Sequence, residues 1–225
     1  MKALQLMNVF VACLVLLLSF PVHAEDLRAG PASPLIAVEG VPSGTTDNIW
    51  TGALGSGFRN GTQTFHLGIG MGYGIKIFGA QERHDLLPMT ISYGRMVGDV
   101  LGAGHWYAGN FEVRGEVFLA PQVNSEGYWT IGLAPHLRYN FATETRWIPY
   151  VDLGMGIALT EIRAPDLGSS FQFNEQVAAG VNYFFADDVA VNFEIHFLHI
   201  SSAGTSKPNQ GVNTVGPSIG VNWFF

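Results

Sequence analysis

The sequence has almost no cysteine: a single one occurs among 225 residues, near the start of the chain. Cys13 lies in an apolar stretch, Val9 to Phe20, that follows Lys2 and precedes Val22-His23-Ala24. A charged start, an apolar stretch and a small residue in this order predict a signal peptide over residues 1–24 that export removes. The mature chain would then have no thiol, which excludes cysteine nucleophiles, thiolate metal sites and disulfides.

Long apolar runs and positive charge are also scarce. A membrane-spanning helix needs roughly 20 apolar residues, and no segment after the signal peptide approaches that length without a charge or a glycine. Lysine and arginine total 11 against 18 acidic residues, without a basic run, which argues against nucleic acid as a partner. The seven histidines are scattered without a helical H-x-x-x-H pair, so we expect no metal site and no cofactor.

The sequence is rich in glycine, phenylalanine and alternating apolar and polar residues. About eight alternating segments follow Gln63, separated by clusters of glycine, proline, aspartate or asparagine. The first segment runs from Gln63 to Ile77; apolar side chains hold its odd positions from Phe65 onward, while four even positions are glycine. A soluble sandwich also alternates. Segments near the ~10 residues of a tilted spanning strand, the signal peptide and the terminal Trp223-Phe224-Phe225 favour a membrane barrel instead.

The predicted fold class is therefore all-β, an eight-stranded antiparallel transmembrane β-barrel over residues 63–225 in the bacterial outer membrane. Short gaps at 142–145 and 186–188 predict periplasmic turns, and longer gaps at 162–170 and 202–212 predict outer loops. Residues 25–62 form an N-terminal arm that fits no strand, and whether it is a periplasmic arm, a plug or an edge segment stays open. The sequence also leaves a homodimer open.

Eight strands enclose an interior that side chains just fill, so we expect no pore. The inward-facing charged residues are then interpreted as a structural network rather than a catalytic carboxylate pair. They are Glu112, Arg114, Glu116, Arg138, Asp152 and Glu194.

The segment from Val189 to Ser201 carries the residues that point to chemistry. By parity, His199 and Ser201 lie on the lipid-facing side at its outer end, and Asn213 on the next strand shares that face. Residues two apart on a strand share a face, so the imidazole can act as the general base of the hydroxyl. A solvated barrel rim would explain the same residues without catalysis.

These residues and their spacing resemble the PagL family of outer-membrane lipid A deacylases. The likeness lies in His199-Ile200-Ser201-Ser202-Ala203-Gly204 and in Pro208-Asn209-Gln210-Gly211-Val212-Asn213, with support from residues 171–176 and the aromatic C-terminus. The resemblance implies an outward-facing Ser-His-acid triad on an eight-stranded barrel. It also implies a serine esterase that hydrolyses the ester-linked acyl chain at the 3-position of lipid A in lipopolysaccharide.

Within this resemblance, Ser201 matches the nucleophile and His199 the base. Asn213 stands where the family has a glutamate, and Ser202 where an asparagine is common. Asparagine can orient the imidazole but stabilises its charged form less than a carboxylate does, which predicts a slower enzyme. Strand pairing would place Glu175 opposite His199, so we hypothesise Glu175 as a substitute acid, with a lipid-headgroup or structural role as the alternative.

Donors for the oxyanion are expected from Asn209, Ser202 and Gly204. The sequence from Pro208 to Gly211 is also an ordinary turn, so loop closure without catalysis is the alternative there. The competing function is a non-catalytic structural or adhesive outer-membrane barrel, while the strand number argues against a porin.

Overall fold

The structure is a computed structural model that describes residues 58–124, 127–143 and 145–225. The predicted signal peptide and the N-terminal arm up to residue 57 lie outside the described residues. No helix in the described part of the chain is long and apolar enough to cross a membrane.

Within these ranges, nine strands form one closed antiparallel sheet in the order β1-β3-β4-β5-β6-β7-β8-β9-β2, and a further β1–β9 pairing closes it. Because β1 and β2 both pair with β9, they occupy one position, and the wall has the eight positions that the sequence predicted. The strands are β1 (Gln63–Gly70), β2 (Tyr73–Gly74), β3 (Met89–Leu101), β4 (Gly109–Pro121), β5 (Trp129–Phe141), β6 (Trp147–Thr160), β7 (Phe171–Phe184), β8 (Val189–Ser201) and β9 (Val212–Phe224).

The expectation of one continuous first strand over residues 63–77 is wrong. β1 ends at Gly70, β2 resumes in the same register at Tyr73, and the chain leaves the wall after Ile75, whose amide still donates to the Asn213 carbonyl at 2.9 Å. Within the gap, the Met71 amide donates to the Pro217 carbonyl at 2.9 Å. Proline has no N–H group that could donate a hydrogen bond back to Met71, so the ladder of backbone hydrogen bonds is interrupted there.

Connections at the two ends of the barrel differ in length. At one end of the barrel, which we call the terminus end, consecutive strands are connected by residues 102–108, 142–146 and 185–188. At the opposite end, which we call the loop end, the connections are residues 75–88, 122–128, 161–170 and 202–211. The gaps predicted as outer loops therefore lie together at the loop end, and both gaps predicted as periplasmic turns lie at the terminus end.

The centre of the barrel is filled by charged side chains, as predicted. Asp152 lies 2.7 Å from both His136 Nδ1 and Arg138 Nε, and 3.4 Å from Arg114 Nη1. Arg138 also lies 3.5 Å from Glu194. The remaining cavity of about 20 Å³ holds no more than about one water, so the interior is packed rather than a pore.

Apolar clusters close both ends of this interior. At the terminus end, Phe58 packs against Phe184 and Phe224, with ring centroids 5.5 and 5.3 Å apart. The Gly61 amide donates to the Met96 carbonyl, so the described end of the predicted arm belongs to the barrel. At the loop end the cluster comprises Leu86, Phe118, Ala120, Ala158, Ile162, Leu167, Leu198, Ile200 and Val212.

Candidate active site

His199 and Asn213 are directly paired residues on β8 and β9, with His199 Nδ1 2.6 Å from Asn213 Oδ1. The amide orientation is fixed because Asn213 Nδ2 donates to the Ile77 carbonyl at 3.0 Å, and a carbonyl can only accept. Asn213 Oδ1 therefore faces the ring, and the His199 proton is assigned to Nδ1. This tautomer leaves a lone pair on Nε2, as a general base requires.

Glu175 on β7 is the residue paired with His199 on its other side, as predicted from the turn length. Its Oε2 atom lies 3.8 Å from His199 Nε2, which is too far for a hydrogen bond but close enough for a charge to act on the ring. The Glu175 side chain is 49% exposed, so surrounding solvent or headgroups weaken that effect.

Ser201 is the last residue of β8 and, two residues after His199, has the same parity along the strand. It is only 9% exposed and pairs with Phe173 of β7. Among the described residues, no hydrogen bond joins the Ser201 hydroxyl to the His199 ring. Hydrogen bonds between a nucleophile and its base are often loose in unliganded enzymes and tighten when substrate binds.

Two loop residues pack directly on the His199 ring. Gly211 has a φ of 83°, and a Cβ atom there would lie 2.7 Å from His199 Cε1, so only glycine allows this approach. Phe78 meets the ring edge-on, with centroids 5.7 Å apart and an interplanar angle of 87°. The imidazole is therefore held between strand and loop residues.

The predicted oxyanion donors are only partly available. Asn209 Oδ1 accepts hydrogen bonds from the Ser202 amide at 2.7 Å and from the Ser202 hydroxyl at 2.8 Å. The Ser202 N–H is thus already engaged, whereas no group in the described part of the chain accepts a hydrogen bond from Asn209 Nδ2. Gly204 lies in an exposed turn with a φ of 83°.

The sequence profile of the lipid A 3-O-deacylase (PagL) family matches residues 68–222, from within β1 to within β9. The chain belongs to this family. The lipid A deacylase PagL of Pseudomonas aeruginosa is 30% identical over 91 residues, which are 39% of this chain and 50% of that protein. The match therefore spans only half the length of that relative.

Two solved structures share the fold of this PagL-family chain. The outer membrane enzyme PagL superposes with a TM-score of 0.53 at 17% identity, covering 70% of this chain and 97% of that one. Neisserial surface protein A superposes with a TM-score of 0.56 at 15% identity, covering 73% and 99%. Family membership and the closed barrel confirm the predicted fold and outer-membrane location, but a fold shared with a surface protein does not identify the chemistry.

A group of acidic and histidine side chains at the loop end of this PagL-family barrel was not predicted from the sequence; His84 and Asp166 are buried and Glu82 is exposed. Glu82, His84 and Asp166 are, within the described ranges, the one group whose ligand atoms could surround a metal ion, all within 4.8 Å of one another. His84 Nε2 already lies 2.9 Å from Asp166 Oδ2, so hydrogen bonding alone accounts for this contact. The three residues come from two separate loops, which no local sequence pattern reveals.

The loop over residues 75–88 is further tied down by Asp85. The carboxylate accepts hydrogen bonds from Arg83 Nε and from the Gly74 amide, both at 2.8 Å. Partial burial raises the pKa of Asp85, but the two hydrogen bonds together with the nearby charge of Arg83 outweigh this effect and hold the pKa below its usual value. The Asp85 carboxylate is therefore charged at neutral pH.

Proposed function

We propose that this protein is a lipid A 3-O-deacylase, a serine esterase that hydrolyses an ester-linked acyl chain of lipopolysaccharide in the outer membrane. The observation that carries the proposal is His199 on the lipid-facing wall, with Nδ1 bonded to Asn213 and Nε2 free to act as a base. Ser201, two residues along the same face, is the matching nucleophile. Family membership supports the choice of substrate.

In the proposed reaction, Ser201 Oγ attacks the ester carbonyl while His199 Nε2 takes its proton. Asn209 Nδ2 donates to the oxyanion of the tetrahedral intermediate. Collapse of the intermediate breaks the bond to the lipid A 3-hydroxyl, which leaves with the proton held by His199. A water molecule, deprotonated by His199, then hydrolyses the acyl-serine and releases the fatty acid.

The two tasks of a triad acid are divided between two residues in this proposal. Asn213 orients the ring and fixes its tautomer, which an amide oxygen can do. Glu175 supplies negative charge beside Nε2, which stabilises the imidazolium that forms during attack. Because the Glu175 carboxylate is half exposed and not hydrogen-bonded to the ring, we expect slower turnover than with a buried acid.

The site suits a substrate that stays in the membrane. His199 faces lipid at the loop end, where a lipid with ester bonds just beneath its headgroup can reach the wall by lateral diffusion. An apolar groove crosses the lipid-facing side four to six residues deeper along β8 and β9, about 13–20 Å from the site. Its lining includes Ile69, Met71, Phe193, Pro217 and Ile219, which could hold an acyl chain.

Mass spectrometry of lipid A from membranes that express the protein tests the proposal. We expect the wild type to remove the mass of one hydroxyacyl chain, and Ser201→Ala and His199→Ala to leave lipid A unchanged. Heat-modifiable migration on gels would show that all three proteins form folded barrels. Unchanged lipid A with a folded wild type would refute the proposal.

The second candidate is a non-catalytic structural or adhesive barrel. It is favoured by the missing hydrogen bond between Ser201 and His199 in the described residues, and by asparagine rather than an acid at position 213. It predicts that the wild type and the Ser201→Ala variant give identical lipid A spectra.

A further inference from the structure

Asp166 in the loop over residues 161–170 is fully buried, and its carboxylate holds another loop. The Gln81 amide donates to Oδ1 at 2.5 Å, and the Glu82 amide donates to Oδ2 at 3.0 Å. His84 Nε2 lies 2.9 Å from the same Oδ2. Three contacts to one carboxylate therefore fix residues 81–84 of the loop between β2 and β3.

The backbone around Asp166 holds a third loop. The Gln210 amide donates to the Asp166 carbonyl at 2.8 Å, and Leu167 forms an isolated bridge with Asn209. A Cβ atom on Gly168 would lie 2.3 Å from the Lys207 carbonyl, so the two loops are in close backbone contact. Asp166 thus connects residues 81–84 with residues 207–210.

Both held segments continue directly to the candidate active site. On one side, the Ala80 amide donates to the Ile77 carbonyl, which also accepts from Asn213, and the neighbouring Phe78 packs on His199. On the other side, Asn209 binds Ser202. The groups that surround the imidazole and the oxyanion donor therefore depend on where these two loops lie.

We propose that Asp166 is a positioning residue for the deacylation reaction. Its carboxylate and carbonyl lock the loops that keep Phe78, Asn213 and Asn209 in place around His199 and the ester. The inference rests on the proposed function. The role of Asp166 is an addition to that function, because Asp166 contacts neither His199 nor Ser201 and acts only through the loops.

The decisive variant is Asp166→Asn, which replaces one of the two carboxylate oxygens with an NH2 group. This group cannot accept a hydrogen bond, so one of the two backbone N–H donors would lose its acceptor. The matched control is Glu82→Gln, which removes an equal charge from the loop that Asp166 holds. The Glu82 side chain is exposed, and its backbone amide, which Asp166 binds, is kept. We expect kcat to fall at least tenfold in Asp166→Asn with KM nearly unchanged, and both to stay at the wild-type values in Glu82→Gln.

Two further measurements do not require turnover. Trypsin should cleave after Arg83 faster in Asp166→Asn than in the wild type, because the loop is released. Nitrogen-15 NMR of the histidine rings should show the His199 Nδ1–H signal shifted or broadened in this variant and unchanged in Glu82→Gln. If the wild type lacks deacylase activity, the proposed function fails, while these two measurements still test the positioning.

Faster cleavage after Arg83 with a wild-type ring signal and wild-type kcat would overturn the inference, since the loops would then be free without affecting the site. A change in KM alone would also overturn it, because that would indicate a role in substrate access. If Asp166→Asn does not fold, His84→Ala provides the second test. It removes one of the three contacts, and we expect smaller changes in the same direction.

Discussion

The imidazole of His199 is held by contacts that each come from a different part of the chain. Asn213 fixes the tautomer, Gly211 allows the backbone to approach the ring, and Phe78 covers it edge-on. Misplacing such a base by about 1 Å can reduce the rate about a hundredfold, since proton transfer depends on geometry. The residues around the ring can therefore be tested one at a time.

Gly211→Ala should lower kcat at least tenfold, because the new Cβ would lie 2.7 Å from His199 Cε1 and displace the ring. The matched control is Gly104→Ala, at a glycine with an almost identical φ of 84° and nothing within 4 Å of the added atom. Both variants add backbone strain of about 1–2 kcal/mol. Equal kcat losses in the two variants would mean that strain, not the contact with His199, is responsible.

Asn213→Ala should lower kcat by about a hundredfold, because the ring loses the acceptor that fixes its orientation and tautomer. Glu175→Gln keeps the size of the side chain and removes the charge, and we expect a loss of only about two- to tenfold because the carboxylate is half exposed. Steady-state assays on purified protein in micelles measure both effects. Full activity in Glu175→Gln would contradict the division of tasks between the two residues.

At the scale of strands and loops, the contact between β1 and β9 depends on small residues near the break in the ladder. A Cβ atom on Gly216 would lie 1.7 Å from the Met71 carbonyl, a backbone atom that cannot rotate away. The interruption of the first strand and the need for glycine thus arise from neighbouring residues of β9, Gly216 and Pro217.

Gly216→Ala should lower the free energy of unfolding by about 1–3 kcal/mol, since two wall strands must separate to admit the methyl group. Gly115→Ala on β4 is the control, because a Cβ atom there meets nothing within 4 Å. Urea unfolding in micelles, followed by tryptophan fluorescence, measures the difference. Equal stability of the two variants would show that the wall relaxes freely at β9.

Strands were predictable from the sequence where a two-residue period repeats, as in β8, and the pairing of Glu175 with His199 followed from the length of the turn between their strands. The break after Gly70 was not predictable, because it depends on which residue of β9 lies opposite Met71. The role of Asp166 was hidden for the same reason. Its partners lie in loops about 40 and 80 residues away in sequence.

For the molecule as a whole, the strands enclose a charged centre between two apolar clusters. The alternation of charged and apolar residues on β4 was enough to predict which side chains face inward, but not that Asp152 is shared by Arg114, His136 and Arg138. Likewise, it was predictable that His199 and Ser201 share the same parity on one strand. The Ser201–His199 contact depends on side-chain rotation, which parity does not define.

Asp152→Ala should destabilise the barrel by about 3–5 kcal/mol, because it leaves two buried guanidinium groups without their shared carboxylate. Asp187→Ala, in an exposed turn at the terminus end, should change stability by no more than about 0.5 kcal/mol. Unfolding midpoints in urea compare the two. A small effect of Asp152→Ala would mean that the interior admits water to the two arginines.

Covalent trapping is the most direct test of whether one serine on the lipid-facing wall carries out the chemistry. A fluorophosphonate with a long alkyl chain should add one phosphonyl group to the wild type, located on Ser201 by peptide mass mapping. His199→Ala should slow this labelling at least a hundredfold, and Ser201→Ala should abolish it. A folded wild type that removes an acyl chain from lipid A, yet is not labelled or is labelled at another residue, would contradict the account.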